Sequence, residues 1–142
     1  MVAVQGMVTP EAIAAEGLLA EDRRDVGLLA VTSADRLHAG WTATCRAREE
    51  RGEVGSRKPR GTPARPLPRH CALVGVIDGH PATLGWLGSV QGHRMRARGV
   101  EQFGQTGTLT DVYRHHRINT HAIVAATQSL APGHPVRHAR MM

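Results

Sequence analysis

Aromatic residues are scarce: only Trp41, Trp86, Phe103 and Tyr113 occur in 142 residues. A core must therefore be assembled from Ala, Val, Leu and Ile. Cysteine is scarcer still, with Cys45 and Cys71 alone. Two thiols 26 positions apart offer neither a zinc-ligand spacing nor a disulfide framework, so both are expected to be free in a reducing compartment. No basic region precedes an apolar stretch at the N-terminus, so no secretory leader is read. The longest apolar run, Cys71 to Ile77, is too short to span a bilayer. A cytoplasmic location without membrane contact is the expectation. The length suits one domain and excludes a multidomain enzyme carried whole.

Lysine is also nearly missing. All but one of the 18 basic residues are arginine, and the net charge is +6. Residues 1–45 carry six acids and three arginines, whereas residues 46–70 carry eight basic residues and three acids. The positive charge is thus concentrated in a short middle stretch. There Pro59, Pro63, Pro66 and Pro68 stand among Gly52, Gly55 and Gly61, and no apolar period survives. This composition predicts a solvated linker over residues 51–69. Within it, Arg65-Pro66-Leu67-Pro68-Arg69 has the form of a polyproline-type ligand core. The basic run could also attract nucleic acid by counterion release. It has no interleaved aromatics for base stacking, so a nucleic-acid partner is not the leading expectation.

The rest of the chain alternates between two kinds of segment. Met1–Met7 reads as a short strand, begun as a fragment would begin it and expected to form a poorly protected sheet edge. Thr9-Pro10 is a helix-start signal, and Ala12, Ala15, Leu18 and Leu19 fall along one face of the helix that follows. Val26–Val31 is a continuous apolar run, as expected of a strand covered on both faces. Ser33 can cap the next helix, with Leu37, Trp41 and Ala43 or Thr44 turned inward. Cys71–Ile77 is a second buried strand, and it is expected to lie directly beside Val26–Val31 at the centre of the sheet. Pro81 suits the first turn of a short helix that Gly85 and Gly88 weaken. Met95–Val100 forms a third, less apolar strand, with Arg94, Arg96 and Arg98 alternating outward. Thr108-Leu109-Thr110-Asp111 is a capping box. Thr120 is expected to cap a last helix with Ile123, Val124, Thr127 and Leu130 inward. Strands alternating with helices predict a three-layer α/β/α fold around an open, mostly parallel sheet. The domain spans residues 1–132, with a basic tail over 133–142.

Few residues carry chemistry. Asp78 and His80 follow a predicted strand at its carboxyl end, where open α/β sheets place their sites, and are the weak catalytic candidates. The bland alternative is that Asp78 caps a helix and His80 sits on the turn. His115 and His116 are adjacent, so on a helix they diverge by about 100°. His134 and His138 have no carboxylate or thiol beside them, so no metal site is assigned. Ser89 lacks a nucleophile elbow. Gly104-Gln105-Thr106-Gly107 lacks the Lys-Ser/Thr of a phosphate loop and reads as a backbone turn needing positive φ.

Several stretches resemble one family. Val31-Thr32-Ser33-Ala34-Asp35-Arg36-Leu37 with Gly40-Trp41 is similar to the second strand and helix of the C-terminal domain of transketolase-like thiamine-diphosphate enzymes. Within that group, homodimeric pyruvate dehydrogenase (decarboxylating) components are the nearest in look. Val76-Ile77-Asp78-Gly79-His80-Pro81-Ala82-Thr83-Leu84, followed by Trp86-Leu87-Gly88, resembles the third strand and its helix. Gly99 to Gly107, with Phe103-Gly104 at its centre, resembles the loop that leads to the closing helices. Asp111-Val112-Tyr113-Arg114-His115 and Ile118-Asn119-Thr120 with Ile123-Val124 are similar to those helices.

The resemblance implies the third domain of an enzyme whose other two domains bind thiamine diphosphate with magnesium. Such a domain packs on its neighbours, supports a homodimer and contributes little to the chemistry directly. The sequence lacks the family's cofactor signature, a Gly-Asp-Gly followed by an Asn–Asn pair, so no cofactor is expected to bind this chain alone. Residues 54–65 match nothing in the family. The expectation is an isolated C-terminal domain whose partners are the thiamine-binding domains of a parent enzyme. A small basic interaction module, binding nucleic acid or an acidic protein, is the alternative.

Overall fold

The computed structural model describes residues 1–52, 67, 68 and 70–130. Four strands, β1 (Val2–Gln5), β2 (Leu28–Ala30), β3 (Leu73–Ile77) and β4 (Met95–Arg98), form one sheet in the order β2-β1-β3-β4. All three pairings are parallel. Among the described residues there are five α-helices: α1 (Thr9–Glu21), α2 (Ala34–Glu50) and α3 (Ala82–Gly85) lie between strands, and α4 (Leu109–His115) and α5 (Thr120–Leu130) follow β4. The result is an α/β fold with helices on both faces of the sheet, as the alternating pattern predicts.

The two faces follow from strand alternation. Val2, Val4, Val74 and Val76 point to the side covered by α1, α4 and α5, where Ala12, Ala15, Tyr113, Ile118, Ile123 and Ala126 meet them. Ala3, Leu73 and Ile77 point the other way, towards Ala34, Leu84 and Leu87. Aliphatic residues and alanine make both cores, and Tyr113 is the one buried aromatic among the described residues.

Two strand expectations are overturned. β1 is central, not a poorly protected edge: Val2, Ala3 and Val4 are fully buried, and β1 separates β2 from β3. The Val26–Val31 run is the edge strand instead. Its paired part is Leu28–Ala30, with the two leucines half-buried and Ala30 exposed. The reason is pairing order. A parallel sheet is assembled from segments far apart in the chain, and local apolarity does not say which segment goes between which.

Helix ends differ from expectation in detail. Thr9 does not cap α1; its hydroxyl donates to the Gly6 carbonyl at 2.7 Å. Ser33 precedes α2 without a side-chain cap, and the Ala34 N–H instead donates to Gln5 Oε1 at 3.3 Å. Thr120 is the first residue of α5, not its cap. Asn119 Oδ1 accepts from the Ala122 N–H, while the Thr120 N–H donates to Glu11 Oε2 at 2.7 Å. Glu11 thereby ties α1 to the positive end of α5. The Thr108 capping box forms as expected, with Thr108 Oγ1 accepting from the Asp111 N–H. Of the arginines expected to alternate outward, Arg94 just before β4 and Arg96 on it are exposed and meet the end of α5, whereas Arg98 is half-buried. Arg94 donates to the Leu130 carbonyl at 2.7 Å and Arg96 to Ser129 Oγ at 3.1 Å. Cations at a helix C-terminus are favourable there.

Most of the expected linker lies outside the described residues, as does the tail. Leu67 contradicts a wholly solvated stretch, since it is buried against the Leu73, Leu84 and Leu87 side of the core. Both cysteines are free, as expected. No helix of the described residues is long and apolar enough to cross a membrane.

Candidate functional site at the carboxyl edge of the sheet

The chain leaves β1 towards β2 on one side, whereas β3 and β4 lie on the other. The carboxyl ends of β1 and β3 therefore flank the topological switch point, the usual position of a ligand crevice in an open α/β sheet. Asp78 and His80 stand there, as the sequence leads one to expect. What they do there is internal. Asp78 Oδ2 accepts from the Met7 N–H at 3.0 Å, bridging the turn after β3 to the turn before α1. Gly6 has φ +91°, and a Cβ on it would fall 2.1 Å from Asp78 Oδ1. The glycine is thus required twice, for its left-handed backbone and for the carboxylate that rests on it.

His80 Nδ1 accepts from the Ala82 N–H at 3.2 Å and so serves the first turn of α3. Gly99 closes the same edge from β4. A Cβ there would meet the Gly79 carbonyl oxygen at 2.3 Å, and the Val100 N–H donates to that carbonyl at 2.7 Å. Backbone and carboxylate contacts thus tie together the turns that follow β1, β3 and β4. The charge of Asp78 also reaches Tyr113, whose hydroxyl is held above its usual pKa by burial first and by the charges of Asp78 and Glu11 second.

Asp78 and His80 are both exposed, and each holds the local chain through one atom, Oδ2 and Nδ1 respectively. Among the described residues no three His, Cys, Asp or Glu side chains come together that would hold the metal of a diphosphate–metal pair. His115 and His116 do not diverge as two helical neighbours would. His116 is the C-cap of α4, with φ −82° and ψ 0°, and the two rings meet edge to face at 4.9 Å. Cys71 approaches a histidine, but without forming a reactive pair. His93 Nδ1 donates to the Cys71 carbonyl at 2.8 Å, and the Cys71 thiol donates to the Pro68 carbonyl.

The surface carries more information than the crevice. Ala12, Ala15 and Leu19 of α1 are buried as expected, but Leu18 is not. It is 42% exposed and Ile13 is 54% exposed. Pro10, Ile13, Ala14, Gly17 and Leu18 follow the i, i+3, i+4, i+7, i+8 spacing of a helix face, and this second apolar stripe points away from the domain. The spacing is present in the sequence; the inward stripe beside it masks it. Met7, just before α1, is 78% exposed, and Phe103, in the loop after β4, is 99% exposed. Gly104 beside it has φ +107°, as the turn reading of that loop expects. An apolar stripe left open on a helix face is a candidate docking surface.

No family model matches this chain, and no curated protein matches it.

Proposed function

We propose that the chain is a non-catalytic docking domain, the C-terminal third of a transketolase-like thiamine-diphosphate enzyme of the homodimeric pyruvate dehydrogenase kind. Its role in that reading is to pack on the cofactor-binding domains and to support their dimer. The observation that carries it is the outward apolar stripe of α1 with Met7 beside it. An open apolar helix face is what a domain seated on others presents. The parallel α/β sheet agrees with it. So do the sequence resemblances at Val31–Leu37, Val76–Leu84 and Gly99–Gly107.

Thiamine chemistry, when the cofactor is bound in its own domains, supplies the carbanion-stabilising centre. This chain supplies neither a diphosphate ligand nor a carboxylate for that centre. In the assembled enzyme, Asp78 orders the turns after β1 and β3, and through them the start of α1 that meets the neighbouring domain.

The test is reconstitution. Titration calorimetry of the chain alone with thiamine diphosphate and magnesium is expected to show no saturable binding. Adding the chain to the two cofactor-binding domains of a homodimeric pyruvate dehydrogenase is expected to restore dimer formation and pyruvate decarboxylation. Saturable cofactor binding by the chain alone, or failure to associate with those domains, overturns the reading.

A further inference from the structure

Where β4 gives way to its following loop, a cavity of about 370 Å³ opens between that loop and the end of α4. Arg98, Glu101, Gln102, His115, His116 and Arg117 supply its polar walls. Neither Asp78 nor the outward face of α1 lines it, so nothing in it depends on the docking reading.

Its charge is unbalanced. Arg98 is half-buried, and its Nε has no hydrogen-bond partner although it is shut off from solvent. Burial, then the nearby charges of Arg96 and Arg117, hold its guanidinium below the usual pKa, and Glu101 offsets only part of this. Among the described residues neither Arg98 nor Arg117 has an ion pair. The other arginines of this strand region, Arg94 and Arg96, are engaged at the end of α5. The wall gathers two guanidiniums, two imidazoles and an amide against the single carboxylate of Glu101, so positive charge is in excess and an added anion would balance it.

We propose that this cavity binds a small phosphate-class anion, held by Arg98 and Arg117, with His115 and His116 as neighbouring donors. Guanidinium forks match phosphate oxygens in pairs. The volume falls within the range of small-ligand sites. Glu101, in the same wall, disfavours a second anionic group and leaves room for one phosphoryl head rather than a polyanion.

The test uses the whole chain with inorganic phosphate as probe, titrated by calorimetry and by NMR of the histidine ring signals at constant ionic strength. Saturable one-to-one binding is expected, with His115 and His116 signals moving together. Arg98→Gln and Arg117→Gly are each expected to weaken it about tenfold, the effect of losing one charge-assisted contact. Arg117 has φ +57°, a left-handed conformation that favours glycine, so Arg117→Gly is expected to fold at least as well as the parent. Lost binding in that variant cannot then be lost structure. Arg114→Gln removes an equal charge from the exposed side of α4, where Arg114 faces Asp111, and is expected to leave binding within about twofold, as a screened surface pair should. Non-saturable binding, unchanged affinity in both Arg98→Gln and Arg117→Gly, or an equal loss in Arg114→Gln would each overturn the proposal.

Discussion

On one side of the sheet, α1, α4 and α5 bury eleven residues in a continuous core with β1 and β3. On the other side, α2 is the longest helix at 17 residues, yet Ala34 at its start is its one buried residue. That second face is held mostly by Leu67, Leu84 and Leu87 from elsewhere in the chain. Further along α2 the contact is aromatic and half-exposed: Trp41 stacks on Trp86 at 5.4 Å, and His38 meets the edge of Trp86 at 5.1 Å. The lesson concerns local stability. Buried apolar contact resists opening, and a long helix with one buried side chain is drawn from the low-stability end of the molecule. Yet the better-packed side also carries, on the outward face of α1, the apolar stripe that the described residues leave exposed. Strong packing underneath is what allows α1 to present a rigid face above.

The difference can be broken most severely at the shared strand. Val76 of β3 is fully buried towards α1 and α5. Val76→Asp places an unpaired carboxylate there and is expected to cost more than about 4 kcal/mol, enough to unfold a small domain. Urea denaturation followed by circular dichroism reads this directly. Next in size is Gly6→Ala, which demands a left-handed alanine and pushes its Cβ into Asp78. A loss of about 2 kcal/mol or more is expected from the strain alone. Because the same change displaces Asp78 from the Met7 N–H, amide exchange should quicken at Met7 and the start of α1 before it does at β3.

On the thin side, Trp41→Ala is expected to cost only about 1 kcal/mol, although it removes a very large side chain, because that side chain is already partly in water. A loss as large as that of a buried leucine would show that α2 is better anchored than its exposure implies.

The smallest effect is alkaline. The raised pKa of Tyr113 means that folding favours its neutral hydroxyl. That contribution is present below pH about 10, the ordinary tyrosine value, and is lost as pH rises from there through the folded-state value. Tyr113→Phe should flatten the fall in stability above that pH and leave the neutral range nearly unchanged.

How far the sequence foretells this varies by element. The class of fold is legible because strand and helix signals alternate. The apolar run Leu73–Ile77 and the Thr108 box are local patterns with local consequences, so both can be read without knowing the rest of the chain. The place of β1 is not legible. Val2-Ala3-Val4 is short, and the two strands that flank it, β2 and β3, come from later in the chain. Leu18 reads as inward because α1 is apolar on two sides, and a pattern cannot choose its own rotation when both faces satisfy it. Asp78 and His80 do stand at a strand end, but the Met7 N–H that engages Asp78 lies 71 residues away. Arg98 and Arg117 come together only because the ends of β4 and α4 do.

The outward face of α1 bears the account, and sedimentation velocity of the whole chain tests it most directly. A bare apolar stripe without its partner should drive concentration-dependent self-association at neutral pH, despite a net charge of +6. The paired change Ile13→Glu and Leu18→Glu should abolish that association while leaving the circular dichroism spectrum intact, since both side chains already face water. A parent chain that stays monomeric at high concentration, or a charged double variant that associates as the parent does, would contradict the claim that this face exists to be covered.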